Sequence, residues 1–137
     1  MRLLSIILLI VFIAVGCLTN LIKKFGMDKH LDIGLTEYGK WFGVATNPVV
    51  MSTLFIGVIN WGITLWLFSL ERGTTAISWI FGSTILVNLF SIALISYIFK
   101  EVLTHTQLVG VGILVVAGSL SVVGMYLLGV GEMVVSV

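Results

Sequence analysis

The sequence predicts an all-α fold, a bundle of four membrane-spanning helices forming a single integral membrane domain over residues 1–137. Three observations predict it. Hydrophobic residues make up 59% of the chain and charged residues only 9%, against about 25% charged in average soluble domains. Four apolar runs, at 3–22, 48–70, 74–99 and 107–130, are each long enough to cross a bilayer, because about 20 residues rising 1.5 Å each cover a hydrocarbon core of roughly 30 Å. None of the runs alternates over about ten residues, as barrel strands would.

The first span, 3–22, begins after Arg2 and ends in Lys23-Lys24, which anchor it at an interface. Its start also approximates a lipoprotein leader, with Ala14-Val15-Gly16-Cys17 in place of a cleavage box. Against that reading, Ala14 stands where such boxes carry a larger aliphatic residue, and the apolar run continues past Cys17. A single cysteine excludes an internal disulfide and a thiolate-only zinc cluster.

The longest connection, 23–47, carries Lys23, Lys24, Lys29 and Lys40 against Asp28, Asp32 and Glu37. Leu31, Leu35, Tyr38 and Phe42 fall at helical spacing with Trp41 beside them, which fits an interfacial amphipathic helix with aromatics at headgroup level. Gly34, Gly39 and Gly43 oppose it, each weakening a helix by about 1 kcal/mol relative to alanine.

Asn47 is placed to cap the second span, with Pro48 at its first helical position. Glu71-Arg72-Gly73 is a turn short enough to force the second and third spans to be antiparallel neighbours. Thr104 and Gln107 have capping-box spacing, so the fourth span starts there. Lysines 23, 24, 29, 40 and 100 fall on one side of the bilayer, and Arg2 and Arg72 on the other. The positive-inside rule then puts 23–47 and 100–106 in the cytoplasm and both termini outside.

No Asp, Glu, Lys, Arg or His lies deep within a span; Glu71, Arg72, Lys100 and Glu101 sit at span ends and Glu132 beyond the fourth. A carrier coupled to protons or cations normally keeps such a residue in its bundle. His30 and His105 lie in connections without metal-ligand spacing, so the reading is a solvated loop residue in each case. No catalytic residue, metal site or cofactor is expected, and the protein is read as not an enzyme. A net charge of +1 argues against nucleic acid as a partner.

The polar residues inside the spans are neutral. Thr84, Asn88 and Ser91 share one stripe of the third span, Asn60 is midway along the second, and Thr19 and Asn20 lie near the end of the first. Interhelical hydrogen bonding explains such residues, worth about 0.6 kcal/mol each. The functional reading is a polar groove for a headgroup or sugar, with Asn20, Asn60, Thr84, Asn88 and Ser91 as candidates. Trp41 reads as an interface anchor, while Trp61, Trp66 and Trp79 either line the bundle or face lipid. On the fourth span Gly110, Ala117, Gly124 and Gly131 recur every seven residues, with Ser121 between them. Such a face admits another helix closely, from this chain or a second copy.

The run Phe99-Lys100-Glu101-Val102-Leu103-Thr104, with Gln107, Gly110 and Gly112 to Gly118, resembles the last hairpin of the drug/metabolite transporter superfamily. There an aromatic and an acidic residue end the penultimate helix, and a glycine-rich helix follows. Asn47-Pro48, the turn at Gly73, Ala76, and Thr19-Asn20 with Lys23 fit the same pattern. Two four-span groups of that superfamily compete. The small multidrug resistance proteins use a first-span glutamate to exchange protons for cationic drugs; this chain has Ile13, Ala14, Val15 and Gly16 there. The other group is similar to subunits that flip lipid-linked aminoarabinose across the bacterial inner membrane. Those lack the glutamate and carry the Asn-Pro opening. The long first connection departs from compact members of both. The resemblance implies a multi-pass protein of a prokaryotic inner membrane that contacts lipid and pairs with another small subunit, like or unlike, to move an amphiphilic or lipid-linked substrate. The alternatives are a non-transporting accessory subunit of a larger complex and a small multidrug exporter.

Overall fold

A computed structural model describes the backbone of residues 3–135 and the side chains of residues 3–128. The fold is all-α, with helices α1 (Leu3–Met27), α2 (Tyr38–Thr46), α3 (Pro48–Leu70), α4 (Gly73–Ile98) and α5 (His105–Val135). Four of them, α1, α3, α4 and the 24 residues His105–Leu128 of α5, are long and apolar enough to cross a membrane. The chain is a multi-pass integral membrane protein in its architecture, and α2 is the short helix of the first connection.

The helix boundaries follow from local chemistry. Asn47 caps α3 by accepting from the Val49 amide at 3.0 Å, with Pro48 in the first turn. Glu71 and Arg72 cap the ends of α3 and α4 on either side of the tight turn. The Thr104 amide donates to Gln107 Oε1 at 2.8 Å and the Gln107 amide to Thr104 Oγ1 at 3.3 Å, a reciprocal capping box that starts α5. The first span is longer than its apolar run: the helix continues through Lys23 and Lys24 to Met27, because long cationic stems lie along the surface with their charges in water. The last helix likewise passes residue 130 and Glu132 and reaches Val135. The expected amphipathic helix is only half realised. Leu31 and Leu35 precede α2 outside any helix, where Asp32 takes a left-handed φ of 57° and the Gly34 amide donates to Glu37 Oε2.

Helix α1 is the centre of the bundle, packed along both α3 and α4, while α5 packs chiefly on α4. Small residues set the approach. A methyl group at Gly16 of α1 would stand 2.9 Å from Val87 Cγ1 of α4, and one at Gly26 would stand 2.8 Å from Val50 Cγ2 of α3. The α4–α5 contact is made by Gly82 against Met125 and by Gly118 against Ile85 and Leu89. Near the start of α1 the bundle is dry: Leu8, Leu9, Ile63 and Leu67 form an apolar cluster, with Phe12, Leu70, Trp79 and Ile80 packed against it. At that end fully buried Ser5 donates to Glu71 Oε1 at 2.6 Å. A glutamate at a span end thus reaches inward to a buried hydroxyl.

Among the described residues, the small-residue face expected on the fourth span makes no close helix contact. Gly110 and Gly124 have no neighbour where a methyl would be, Ala117 is exposed, and Ser121 donates to the Ala117 carbonyl of its own helix. Gly131 lies outside the described side chains. Trp61 and Trp66 face outward, whereas Trp79 packs on the core.

Candidate functional site: a polar groove between three helices

Residues Phe12, Gly16, Thr19, Asn20 and Lys23 form one stripe of α1, at the three- and four-residue spacing that puts side chains on a common face. Gly57 and Asn60 of α3 and Thr84, Val87 and Asn88 of α4 face the same space. The result is an open groove of about 350 Å³. It runs from Phe12, Asn60 and Thr84, near the middles of their helices, to Lys23 at the lysine-bearing end. Beyond Phe12 the apolar cluster closes the bundle. The polar lining therefore occupies the lysine-bearing half of the bundle, and the apolar cluster fills the other half.

Four of the five sequence candidates, Asn20, Asn60, Thr84 and Asn88, line this groove. Ser91 does not. It is buried, and its hydroxyl accepts from Asn20 Nδ2 at 2.8 Å, tying α4 to α1. Ser91 thus positions Asn20 and lies behind the groove wall. Six lining positions escaped the sequence candidates: Phe12, Gly16, Thr19, Lys23, Gly57 and Val87. Thr19 and Lys23 carried a signal, being polar at one and three residues from Asn20. Gly57 carried none, since its contribution is the room left by a missing side chain.

The groove offers both donors and acceptors, from its asparagine amides, its threonine hydroxyls and Lys23. Asn60 Oδ1 is shut from solvent and has no partner among the described residues. Leaving such a carbonyl unmatched costs about 1–3 kcal/mol, so it is a standing demand for a donor. Thr84 Oγ1 donates its proton to the Ile80 carbonyl at 2.9 Å and Thr19 Oγ1 to the Val15 carbonyl at 2.8 Å. Each keeps a lone pair for an incoming donor. Lys23 supplies the one positive charge, at the rim. No carboxylate is in the lining.

The lysine-bearing end is braced by contacts between distant parts of the chain. Lys24 Nζ pairs with Asp28 and with Glu101, each at 3.1 Å, and lies 6.0 Å from the centre of the Phe99 ring. Phe99 and Glu101 thus hold the end of α1. Asn47 Nδ2 donates to the Gly26 carbonyl at 3.4 Å and stands 3.1 Å from His30 Nε2. His30 is half-buried, and the expectation of a free, solvated side chain is corrected: it closes the junction of α1 and α3. Among the described residues no three His, Cys, Asp or Glu side chains are grouped to hold a metal.

Compared with the family models, the curated proteins and the solved structures, the chain matches none. Fold and groove define its class: a four-span helical membrane protein with a polar groove free of carboxylates between three of its helices.

Proposed function

We propose that the protein is a small membrane transporter or flippase subunit of the drug/metabolite transporter type, seated in a prokaryotic inner membrane. It moves an amphiphile whose polar headgroup enters the groove while its chain stays in the bilayer. The observation that carries this reading is the unmatched Asn60 carbonyl at the inner end of a groove lined by Asn20, Thr84 and Asn88. Neutral amides and hydroxyls, which both donate and accept, suit a headgroup rich in hydroxyls, as a lipid-linked sugar is. A groove wall without a carboxylate favours this substrate class over proton-coupled export of cationic drugs.

The test is flux of a fluorescent glycolipid in proteoliposomes. Asn60→Leu with Asn88→Leu abolishes it while insertion and helicity are retained. Undiminished flux in that variant removes the groove from the mechanism. A second reading, a non-transporting accessory subunit, is favoured by α5, where a methyl at Gly110 or Gly124 would meet nothing within 4 Å among the described residues. It predicts co-purification with a stoichiometric larger partner and no flux from the protein reconstituted alone.

A further inference from the structure

A second concavity of about 340 Å³ lies between the first connection and α2, lined by Lys29, His30, Leu31, Ile33, Lys40 and Gly43. Lys29 has no ion-pair partner among the described residues, unlike Lys24 with Asp28 and Glu101, or Lys40 with Glu37. Asn47 Nδ2 can only donate, and its own Oδ1 is taken by the Val49 amide. His30 Nε2 is therefore the acceptor in that bond, and the ring proton sits on Nδ1 as a further donor. Of the acidic residues nearby, Asp28 and Glu37 are engaged by Lys24 and Lys40, and Asp32 is not in the lining. The lining thus holds the unpaired cation of Lys29, that of Lys40 paired at 3.1 Å with Glu37, and His30, with no carboxylate of its own.

Its position fixes the kind of anion. Leu31, Leu35, Tyr38 and Phe42 are 68%, 88%, 76% and 70% exposed. In a membrane protein such a strip beside the end of a span belongs at the boundary of headgroups and acyl chains. The basic concavity then stands at phosphate depth, on the side where the lysine excess places the anionic leaflet. We infer that Lys29, His30 and Lys40 form a binding site for the phosphodiester of an anionic membrane lipid, whose chains lie along Leu31 and Ile33. The site is separate from the groove and stands whether or not the groove carries a substrate.

The experiment uses the full chain, delipidated in a neutral detergent and supplied with phosphatidylglycerol, phosphatidylcholine or inorganic phosphate. Retained lipid is counted by native mass spectrometry and stability followed by thermal unfolding. The wild type retains phosphatidylglycerol in preference to phosphatidylcholine and is stabilised by it, and inorganic phosphate at the same concentration has no effect. Lys29→Gln and Lys40→Gln each weaken the preference about fivefold, the scale expected for one cation at a membrane surface. Lys29→Arg keeps it, and so does Lys100→Gln, a charge removed elsewhere on the same end. Equal retention of both lipids by the wild type, or an undiminished preference in the Lys29→Gln, Lys40→Gln double variant, overturns the site. Stabilisation by inorganic phosphate alone overturns its assignment to a lipid.

Discussion

Asn20 and Ser91 are joined across α1 and α4 by a hydrogen bond of 2.8 Å, with the serine buried and the asparagine at the groove wall. Two residues with the same apparent role in the sequence have therefore divided it. One orients, and the other is oriented.

A double-mutant cycle measures this division. Asn20→Val and Ser91→Ala should be coupled by about 0.6 kcal/mol in reversible unfolding from mixed micelles, the usual scale for such bonds between membrane helices. Ser91→Ala should also loosen ligand selection without abolishing flux. A coupling of zero would show that the pair does not persist in a lipid-like environment.

Close approach of α1 to α4 depends on Gly16. Gly16→Ala puts a methyl 2.9 Å from Val87 Cγ1 and should destabilise by about 1–3 kcal/mol. Adding Val87→Ala should restore most of the loss. Gly62→Ala, where nothing lies within 4 Å, should instead gain up to about 1 kcal/mol from helix propensity. Equal effects at the two glycines would contradict the packing.

The four spans were legible because an apolar run of the right length has one inexpensive solution in a bilayer. Their caps were legible where they are local, at Asn47-Pro48 and at Thr104 with Gln107. Helix ends were less so: hydrogen bonding carried α1 past its apolar run to Met27, and hydropathy does not register that. Asn60, Thr84 and Asn88 could be singled out because polar residues in lipid stand out, but the spacing of Ser91 gave no sign that it turns toward Asn20. Ser5 with Glu71, Lys24 with Glu101 and His30 with Asn47 left no trace, since each joins positions far apart in a single chain. The seven-residue glycine repeat of α5 marked a face but not its partner; α5 meets α4 instead through Met125 against Gly82 and Gly118 against Ile85 and Leu89.

Access to the groove should be one-sided. In a Cys17→Ser background, Asn60→Cys and Asn88→Cys should react with a charged, impermeant thiol reagent from the side bearing Lys29 and Lys100, but not from the side of Arg72. Leu67→Cys, 1% exposed in the wild type, should react from neither. Labelling of Asn60→Cys from the Arg72 side would place the closure at the wrong end.

The turn between α4 and α5 carries a correctable strain. Lys100 has a φ of 53° directly after the cap of α4, a conformation that costs a residue with a side chain about 1–2 kcal/mol. Lys100→Gly should raise stability by about 1 kcal/mol, read as a higher unfolding midpoint. Lys100→Ala, which removes the charge but keeps the Cβ, should not.

The dry cluster of Leu8, Leu9, Ile63 and Leu67 bears on kinetics. If the protein carries a cargo as proposed, its release toward the Arg72 side waits for those four apolar side chains to separate. Turnover would then follow one thermal barrier for every cargo the cleft admits, and chemical variation among cargoes would appear in half-saturation values while maximal velocity stayed nearly constant.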